Sequence, residues 1–247
     1  MASFKENIDF NNLPTHIAVI MDGNGRWATQ KGIARIFGHR NAVQSVKDVV
    51  EGCGEIGVKY LTLYAFSTEN WGRPKAEVDG LMELLVNTLK KEISSLNENR
   101  VKLMTIGSID HLPQACQTNL ADAVRATSNN KGWSLVLALS YSGRWEIAEA
   151  AKKIAFDAKI GKIEPEEITE KIFSNYLSTV GIPDPELLIR TSGEMRISNF
   201  LLWQLAYTEF FVTDKLWPDF RKEDLYEAIN SYQQRDRRFG KINEPSV

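Results

Sequence analysis

Short apolar runs alternate along this chain with longer segments in which apolar residues recur every three or four positions. The short runs are typical of strands covered on both faces, and the longer segments are typical of helices. Strict alternation of the two predicts an α/β fold, with a single domain built on a mostly parallel central sheet flanked by helices. The predicted strands cover residues 16–21, 60–66, 101–106, 134–139, 187–190 and 209–212. The predicted helices cover roughly residues 40–55, 77–98, 113–129, 144–159, 165–177, 198–205 and 222–237.

The first residues do not follow this alternation. Phe4, Ile8 and Phe10 are too widely spaced to form one face of a helix or strand. We therefore expect residues 1–13 to be a loosely ordered leader and residues 14–247 to form the single domain. A chain of 247 residues with 43% hydrophobic content is long enough to bury a full core.

The predicted helix at residues 77–98 carries a broad apolar face. Its central residues recur at every fourth position, and further apolar residues widen the face beyond a narrow seam. They are Leu81, Leu85, Leu89 and Ile93, with Met82, Leu84, Val86 and Leu96 beside them. A face of this kind usually packs against a sheet, but it can also line an apolar channel. The pattern leaves both interpretations open.

The charge and the cysteines restrict the class of protein. With 30 basic and 32 acidic residues the formal net charge is −2, so the chain lacks the broad positive field of nucleic-acid-binding proteins. Any anion site must therefore be local, and no nucleic-acid partner is expected. The two cysteines, Cys53 and Cys116, fit a reducing compartment and predict neither a disulfide framework nor a zinc site. Without a signal sequence or a run of about 20 apolar residues, the chain is expected to be cytoplasmic.

The residues that follow the first predicted strand are suited to binding a phosphate group. Asp22 offers a metal ligand, and the glycines on either side of Asn24 allow backbone amides to turn toward an anion. Arg26 adds a positive charge. Together these residues predict a magnesium-pyrophosphate site. An ordinary strand-to-helix turn capped by Asp22 remains the alternative.

Two more polar segments follow predicted strands. Residues 67–74, STENWGRP, are rich in hydroxyl, amide and guanidinium groups, which a turn with a helix cap explains only in part. Residues 190–199 place two arginines six positions apart with Ser198, either as a second anion site or as ordinary solvated arginines. The carboxyl ends of parallel strands share one edge of a sheet, so one common site is expected. Arg26 and Arg35 complete two groups of arginines, as two phosphorylated substrates side by side would need.

A GxGxxG pattern at residues 52–57 matches the dinucleotide-binding motif, but its context is reversed. A predicted helix precedes it and a predicted strand follows it, so we interpret its glycines as a helix end. The chain has no Walker A motif. Neither a nicotinamide-dependent enzyme nor a nucleoside triphosphatase is therefore expected.

The polar segments and the runs around them resemble the cis-prenyltransferase family, from Pro14 to Gly240. The matching motifs are HIAVIMDGNGRWA at 16–28, FGH at 37–39, LTLYAFSTENWGRP at 61–74, IRTSGEMRISNFLLWQLAYTEF at 189–210 and LWPDF at 216–220. The resemblance implies repeated condensation of isopentenyl pyrophosphate onto an allylic pyrophosphate such as farnesyl pyrophosphate, with a cis double bond formed at each step. The expected product is undecaprenyl pyrophosphate, a lipid carrier precursor for cell-wall synthesis. The resemblance also implies Mg²⁺ as cofactor, a homodimer, at most peripheral membrane contact for product release, and a tunnel walled by the broad helix and the sheet.

The resemblance further implies roles for individual residues. Asp22 would hold magnesium and act in catalysis with Asn70, and Glu209 would be a second metal ligand associated with dimer contacts. The residues implied to bind the allylic pyrophosphate are Gly23, Asn24, Gly25, Arg26, Arg35 and His39, with Trp27 beside them. Those implied to bind isopentenyl pyrophosphate are Arg190, Arg196 and Ser198. A mobile loop and helix start implied to close over the substrates comprise Ser67, Thr68, Glu69, Asn70, Trp71, Arg73 and Glu77. Residues 238–240 resemble a segment that reaches the neighbouring subunit's site.

The chain departs from the family pattern at few positions. Met195 stands where some relatives carry histidine, and Ser140 and Ser142 replace the more usual Asn and Gly, so no role is assigned there or to Arg144. A non-catalytic scaffold subunit of a heteromeric prenyltransferase is one alternative, but the retention of Asp22 and of the arginines argues against it. An all-helical trans-prenyltransferase would carry a DDxxD motif, and the chain has no adjacent aspartates.

Overall fold

Six parallel strands form the centre of the structure. The computed structural model describes residues 3–236. Its strands are β1 (His16–Ile20), β2 (Tyr60–Ser67), β3 (Val101–Ile106), β4 (Trp133–Tyr141), β5 (Leu187–Arg190) and β6 (Glu209–Val212). Every neighbouring pair is parallel, in the order β3-β4-β2-β1-β5-β6. The sequence pattern predicts these strands with ends no more than two residues away, and the predicted α/β fold with its mostly parallel sheet is confirmed.

Helices cover both faces of the sheet. They are α1 (Asn24–Gln30), α2 (Arg35–Ile56), α3 (Lys75–Glu98), α4 (Gln114–Thr127), α5 (Gly143–Lys159), α6 (Glu170–Ser174) and α7 (Lys222–Gln233). Because side chains alternate along a strand, Ile17 and Val19 of β1 enter the core shared with α2, α3, α4 and α7. Ala18 and Ile20 enter a second core, against which Trp145 of α5 packs. All five residues of β1 are buried, which explains its continuous apolar run.

The largest error of the sequence pattern lies at residues 198–205. The apolar spacing predicts a helix, but the structure has consecutive turns, with left-handed φ angles of 46° at Ser198, 61° at Asn199 and 45° at Leu201. Phe200 is nevertheless fully buried. The helix prediction is wrong because the side chain of Asn199 accepts a hydrogen bond from the backbone of α5, which favours a non-helical chain path.

Two other helix predictions differ in extent. The helix predicted at residues 165–177 is limited to α6 and a 3-10 turn at Pro165–Glu167. Conversely, α1 was outside the predicted helices, because its seven residues have no helical periodicity. The predicted end of α7, at residue 237, lies outside the described residues.

The residues expected to form a loose leader lie against α7. The Ser3 hydroxyl donates to Glu223 at 2.7 Å, and the Asn230 amide donates to the carbonyl oxygen of Phe4, also at 2.7 Å. Ile8 is buried in the core that α7 shares. Side-chain hydrogen bonds and one apolar anchor thus hold residues 3–12 to the domain.

Glycines mark the end and the start of α2. Gly57 caps the helix with a φ of 90°, so the GxGxxG pattern is a helix end, as interpreted from the sequence. At Gly38, in the first turns of α2, an added Cβ would clash with the carbonyl oxygen of Asn24. Glycine therefore allows α1 and α2 to pack closely. Cys53, one turn before the end of α2, and Cys116 are both buried and free.

An elongated apolar cavity lies between the sheet and helices α2 and α3. Its empty volume is about 1460 Å³, its open mouth included. Leu81, Met82, Leu84 and Leu85 of the broad face of α3 line it, and all of these except Leu84 also belong to the core or pack against it. Both interpretations of the broad face therefore hold, for largely the same residues. Within residues 3–236, no helix combines the length and apolar character needed to cross a bilayer.

Candidate active site

The polar segments predicted to meet do meet, at the carboxyl edge of the sheet. β1 lies between β2 and β5, and all three strands run in the same direction. The register places Ile20 of β1 beside Arg190 of β5. Asp22, two residues further along, therefore faces the guanidinium of Arg190 across the edge.

Asp22 is the centre of this edge. Arg190 Nη2 donates to Asp22 Oδ2 at 2.8 Å, the Gly23 N–H donates to Oδ1 at 2.7 Å, and Arg26 Nη2 lies 3.7 Å from Oδ1. Partial burial acts to raise the pKa of Asp22, but the hydrogen bonds and positive charge of its neighbours, Arg190 above all, hold that pKa below its usual range. The side chain is therefore an anion at neutral pH.

The backbone of Asp22 is fixed from two sides. The Thr191 hydroxyl accepts a hydrogen bond from the Asp22 N–H at 2.9 Å and donates to its carbonyl oxygen at 2.7 Å. The backbone N–H of the fully buried Trp217 also donates to the carbonyl oxygen of Asp22, at 3.0 Å. The sequence analysis assigned no role to Thr191, and its place directly after Arg190 was the available signal.

Helix α1 begins immediately beyond Asp22. Gly23 has a φ of 103°, and a Cβ added to it would lie 2.9 Å from Leu216 Cδ2, so this position requires glycine. A Cβ at Gly25 would lie 2.7 Å from the guanidinium of Arg35. No side chain caps the helix, which leaves its first N–H groups available to an anion. The strand-to-helix turn considered as an alternative is thus present and is itself suited to a phosphate.

A deep group, consisting of Asp22, Arg190 and Ser198, lies on this edge. The Arg190 side chain is 4% exposed. Its Nη1 donates to Ser198 Oγ at 2.9 Å and to the carbonyl oxygen of Arg196. Ser198 and Arg190 are thus adjacent, as the predicted isopentenyl pyrophosphate site requires.

The Arg26 side chain lies beside the deep group. Its Nη2 donates to Ser192 Oγ at 2.5 Å, and its Nη1 lies 3.2 Å from Glu194 Oε1. Arg196 also pairs with Glu194, so this carboxylate is shared between two arginines and leaves a net positive charge. Sequence reasoning missed Ser192 and Glu194, although both stand in the polar segment that contains Arg196.

A second cluster, which we call the mouth group, consists of Arg35, His39, Arg73 and Glu77, and two of its members line the cavity. Glu77 lies 3.4 Å from Arg35, 3.2 Å from Arg73 and 3.6 Å from His39. Burial, followed by the positive charge of Arg73, lowers the pKa of His39 to about 4, although Glu77 opposes this. At neutral pH the group therefore combines two cations, one anion and a neutral imidazole. His39 and Arg73 also line the cavity, together with Asn24.

The loop between β2 and α3, residues 68–74, is held in shape by its own side chains. The Asn70 carboxamide oxygen accepts from the Ser67 N–H at 3.1 Å, and the Thr68 hydroxyl donates to Glu69 at 3.3 Å. The Trp71 indole N–H donates to Ser140 Oγ at 3.0 Å. Ser140, to which the sequence analysis assigned no role, is therefore part of the surroundings of this loop.

Two predicted site residues point elsewhere. The Trp27 indole N–H donates to Asp219 at 2.9 Å, in the loop between β6 and α7. Glu209 begins β6 at the opposite, amino edge of the sheet, level with Ile17, and pairs with Arg235 at 2.8 Å. Asp22 lies five residues beyond Ile17, which at about 3.3 Å per residue is roughly 16 Å along the strand direction, and β6 is two strands away from β1. In one subunit these two carboxylates therefore do not share a metal ion, and residues 3–236 contain no group of three or more potential metal ligands.

Three buried polar atoms of the site have no hydrogen-bond partner among residues 3–236. They are Asn24 Oδ1, His39 Nε2 and Arg190 Nε. Buried polar groups are nearly always paired, so such atoms require an explanation. A ligand that bridges the deep group and the mouth group would supply their partners.

Comparison with known proteins identifies the family. The profile of a prenyltransferase family described as "Putative undecaprenyl diphosphate synthase" matches residues 20–240. The chain belongs to this family. The isoprenyl transferase of Clostridium tetani is 52% identical over 238 residues, which cover 96% of this chain and 93% of that protein. The resemblance inferred from the motifs is thus confirmed.

Other members of the family agree in length and in structure. The ditrans,polycis-undecaprenyl-diphosphate synthase ((2E,6E)-farnesyl-diphosphate specific) of Pasteurella multocida is 48% identical, over 96% of this chain and 99% of that protein. Lavandulyl diphosphate synthase from Lavandula x intermedia, solved with dimethylallyl diphosphate, superposes with a TM-score of 0.90 at 39% identity, covering 93% of this chain and 99% of that one. A probable undecaprenyl diphosphate synthase from Campylobacter jejuni gives 0.77 at 32% identity, over 93% and 100% of the two chains.

Proposed function

We propose that this prenyltransferase condenses isopentenyl pyrophosphate repeatedly onto farnesyl pyrophosphate and makes undecaprenyl pyrophosphate with cis double bonds. The cavity is the observation that carries the proposal, because the cationic side chain of Arg73 lines it together with mostly apolar side chains of α2, α3 and the sheet. This arrangement suits a substrate with a charged head and a growing hydrocarbon tail. The Pasteurella multocida relative is named as specific for (2E,6E)-farnesyl diphosphate, which supports farnesyl pyrophosphate as the starter.

The mouth group and the start of α1 would bind the allylic pyrophosphate. Arg35 and Arg73 supply positive charge there, and the uncapped N–H groups after Gly23 supply donors. His39, neutral at pH 7, would donate or accept a hydrogen bond without adding charge. The hydrocarbon tail would then enter the cavity directly, since His39 and Arg73 line it.

The deep group, with Arg26 and Arg196, would bind isopentenyl pyrophosphate. Holding the two substrates side by side replaces a bimolecular encounter with a local one, which contributes up to about 7–11 kcal/mol in well-oriented cases. The difficult step is the departure of pyrophosphate from the allylic carbon, and nearby guanidinium groups stabilise the charge that develops. The carboxamide oxygen of Asn70 accepts a hydrogen bond from the Ser67 N–H. The amide hydrogens of Asn70 would therefore be the atoms available to the substrates.

The residues around Asp22 fit a magnesium ion bound to pyrophosphate. Mg²⁺ usually keeps several waters and takes one or two carboxylates plus phosphate oxygens, so one ionised carboxylate next to an anion site is a suitable donor set. When bound, the ion would neutralise charge on the leaving pyrophosphate. Asp22 would divide its oxygens between this ion and Arg190, and the unpaired Arg190 Nε would remain for the substrate.

A homodimer in the cytoplasm is part of the proposal. β6 is an edge strand with one unpaired side, and Phe210 on it is 45% exposed, as expected of a strand that meets a second copy. Glu209 and Arg235 flank that strand. The segment 238–240, expected to reach the neighbouring site, lies outside the described residues. The free thiols of Cys53 and Cys116 suit a reducing compartment. Sedimentation equilibrium that gives only a monomer mass would contradict the dimer.

The direct test is product analysis with radiolabelled isopentenyl pyrophosphate, farnesyl pyrophosphate and Mg²⁺. We expect a long polyprenyl product from the wild type and a loss of at least roughly 100-fold in rate with Asp22→Ala. Asp122→Ala, which removes an exposed aspartate of α4, is the matched control. If well-folded wild type makes no product, the scaffold-subunit interpretation replaces this proposal. A short product would instead place the chain with enzymes that stop after one condensation.

A further inference from the structure

Asn199 connects three parts of the carboxyl edge. Its Nδ2 donates to Glu69 Oε1 at 2.7 Å, and its Oδ1 accepts from the Arg144 N–H at 2.9 Å. Its carbonyl oxygen accepts from the Gly143 N–H at 2.6 Å. One residue thus ties the β2–α3 loop to the start of α5, from within the segment that follows β5.

The backbone of Asn199 continues directly into the deep group. Its φ of 61° is left-handed, a conformation that asparagine tolerates better than most residues. The preceding residue, Ser198, is also left-handed, and its hydroxyl accepts from Arg190. A displacement of Asn199 would therefore move Ser198 relative to Arg190.

At the other end of the contact, Glu69 stands next to Asn70 in the β2–α3 loop. Its second oxygen, Oε2, accepts from the Thr68 hydroxyl at 3.3 Å. Partial burial acts to raise the pKa of Glu69, but the hydrogen bond from Asn199 and others within the loop hold that pKa below its ordinary value. Both oxygens of an ionised Glu69 are thus engaged by protein groups, which leaves this side chain poorly suited to bind a pyrophosphate directly.

We propose that Asn199 and Glu69 are a positioning pair that couples the β2–α3 loop to the isopentenyl pyrophosphate site. The inference rests on the proposed function and replaces the substrate-binding role expected for Glu69 with an indirect one. Through the pair, the order of the loop that carries Asn70 depends on the arrangement of Ser198 and Arg190. Because coupling between two sites is reciprocal, the arrangement of Ser198 and Arg190 also depends on the order of the loop.

The pair allows a test by exchange of donor and acceptor. Asn199→Asp keeps an oxygen that accepts from the Arg144 N–H. In place of the amide nitrogen that donates to Glu69 at 2.7 Å in the wild type, however, it puts a second carboxylate oxygen, so the two carboxylates repel each other. Glu69→Gln alone keeps an oxygen that accepts from Asn199. In the double variant Asn199→Asp/Glu69→Gln, the new amide donates to the new carboxylate, so the contact is re-formed with its direction reversed.

We expect Asn199→Asp to raise the KM for isopentenyl pyrophosphate and lower kcat, with a combined loss of roughly 10-fold or more in kcat/KM. The KM for farnesyl pyrophosphate should change less, because Arg73 is the one member of the mouth group that lies in the β2–α3 loop, and its ion pair with Glu77 of α3 holds it independently of the pair. Glu69→Gln should stay within about 3-fold of wild type, and the double variant should recover most of the activity that Asn199→Asp loses. Asn119→Asp, on α4, is the control for an added charge. An Asn199→Asp variant as active as wild type, or a double variant no better than it, would overturn the inference.

Hydrogen exchange of residues 67–74 supplies a readout that does not depend on turnover. With the full-length protein, inorganic pyrophosphate and Mg²⁺, we expect this segment to exchange faster in Asn199→Asp than in wild type and to slow again in the double variant. Equal exchange in the three proteins would contradict the coupling even if the protein proved inactive on prenyl substrates. An inactive wild type with the expected exchange pattern would instead reject the proposed function alone.

Discussion

The deep group and the mouth group differ in how firmly the fold holds them. Arg190 projects from a central strand and is 4% exposed, with its hydrogen bonds to Asp22 and Ser198 at 2.8 and 2.9 Å. Arg35 projects from the first turn of α2, is 59% exposed and lies 3.4 Å from its carboxylate. Under the proposed function, the deep group would hold isopentenyl pyrophosphate firmly from the strands. The mouth group would give more adjustable contacts from helix ends to the allylic pyrophosphate, which departs at every cycle.

The largest expected effect is that of Arg190→Ala. It removes a buried guanidinium and leaves Asp22 without its main partner, a change that typically costs about 3–5 kcal/mol. We expect kcat/KM for isopentenyl pyrophosphate to fall by at least roughly 100-fold. Steady-state kinetics with each substrate varied in turn would measure this, with thermal unfolding as the control for folding. A loss confined to the KM for farnesyl pyrophosphate would contradict the assignment of the deep group.

A smaller effect is expected at the mouth, with Arg35→Ala. The exposed guanidinium is screened by solvent and salt, so its removal should raise the KM for farnesyl pyrophosphate by roughly 10-fold at low salt, with kcat little changed. The difference between wild type and variant should shrink as NaCl is raised toward about 0.5 M, whereas the Arg190→Ala defect should persist. Equal salt dependence of the two defects would remove the distinction between a rigid and an adjustable group.

His39 provides a pH test of the mouth group. Its pKa of about 4 in the fold lies below the ordinary 6.5, so the unfolded chain takes up the proton first as the solution is acidified. The contribution of His39 to the free energy of unfolding is fully present above pH 6.5 and declines as the pH falls toward 4, by about 3 kcal/mol at most. In urea unfolding, the free energy of unfolding of His39→Asn should therefore fall less steeply than that of the wild type between pH 6.5 and 4. The same variant should leave the shape of the activity profile between pH 6 and 8 unchanged.

His16 sharpens this comparison, because it titrates similarly at the opposite edge of the sheet. Burial lowers its pKa to about 4 as well, and its ring hydrogen-bonds to the Pro183 carbonyl and the Thr62 hydroxyl. Its replacement should reduce the acid sensitivity of stability without affecting either KM. A change in either KM would mean that the amino edge of the sheet is energetically coupled to the substrate site.

The sequence predicted the strands and the deep group well for one physical reason. Doubly covered parallel strands need continuous apolar runs, and polar residues directly after such runs must lie at the carboxyl edge, so Asp22 and Arg190 could be placed together before any coordinates. The predicted strand at residues 209–212 also placed Glu209 correctly, at the start of a strand and therefore at the amino edge of the sheet. Its metal role came from the resemblance alone.

The turns at residues 198–205 show what a local pattern leaves out. Their apolar spacing is compatible with a helix, but the tertiary hydrogen bonds of Asn199 favour left-handed turns. The ion pair between Arg26 and Glu194 was not predicted for a similar reason, since a long arginine side chain can reach several partners and only tertiary packing decides among them. Side-chain direction in loops, unlike strand order, has no periodic signal.

The smallest predicted effect concerns the hydrogen bond between Trp71 of the β2–α3 loop and Ser140. Ser140 is buried with a φ of 46°, and the indole it binds is 37% exposed. Ser140→Ala should weaken the attachment of the loop by about 0.5–1.5 kcal/mol and lower kcat a few-fold. Ser140→Asn retains an acceptor in a residue that tolerates this backbone, so it should act like wild type.

The double variant Trp71→Phe/Ser140→Ala tests whether the hydrogen bond itself matters. If it does, kcat should fall no further in the double variant than in either single variant. Additive losses of kcat would mean that each side chain contributes separately. Since the loop also reaches the deep group through Glu69, coupled behaviour here would place the boundary between the fixed and adjustable parts of the site within residues 68–74.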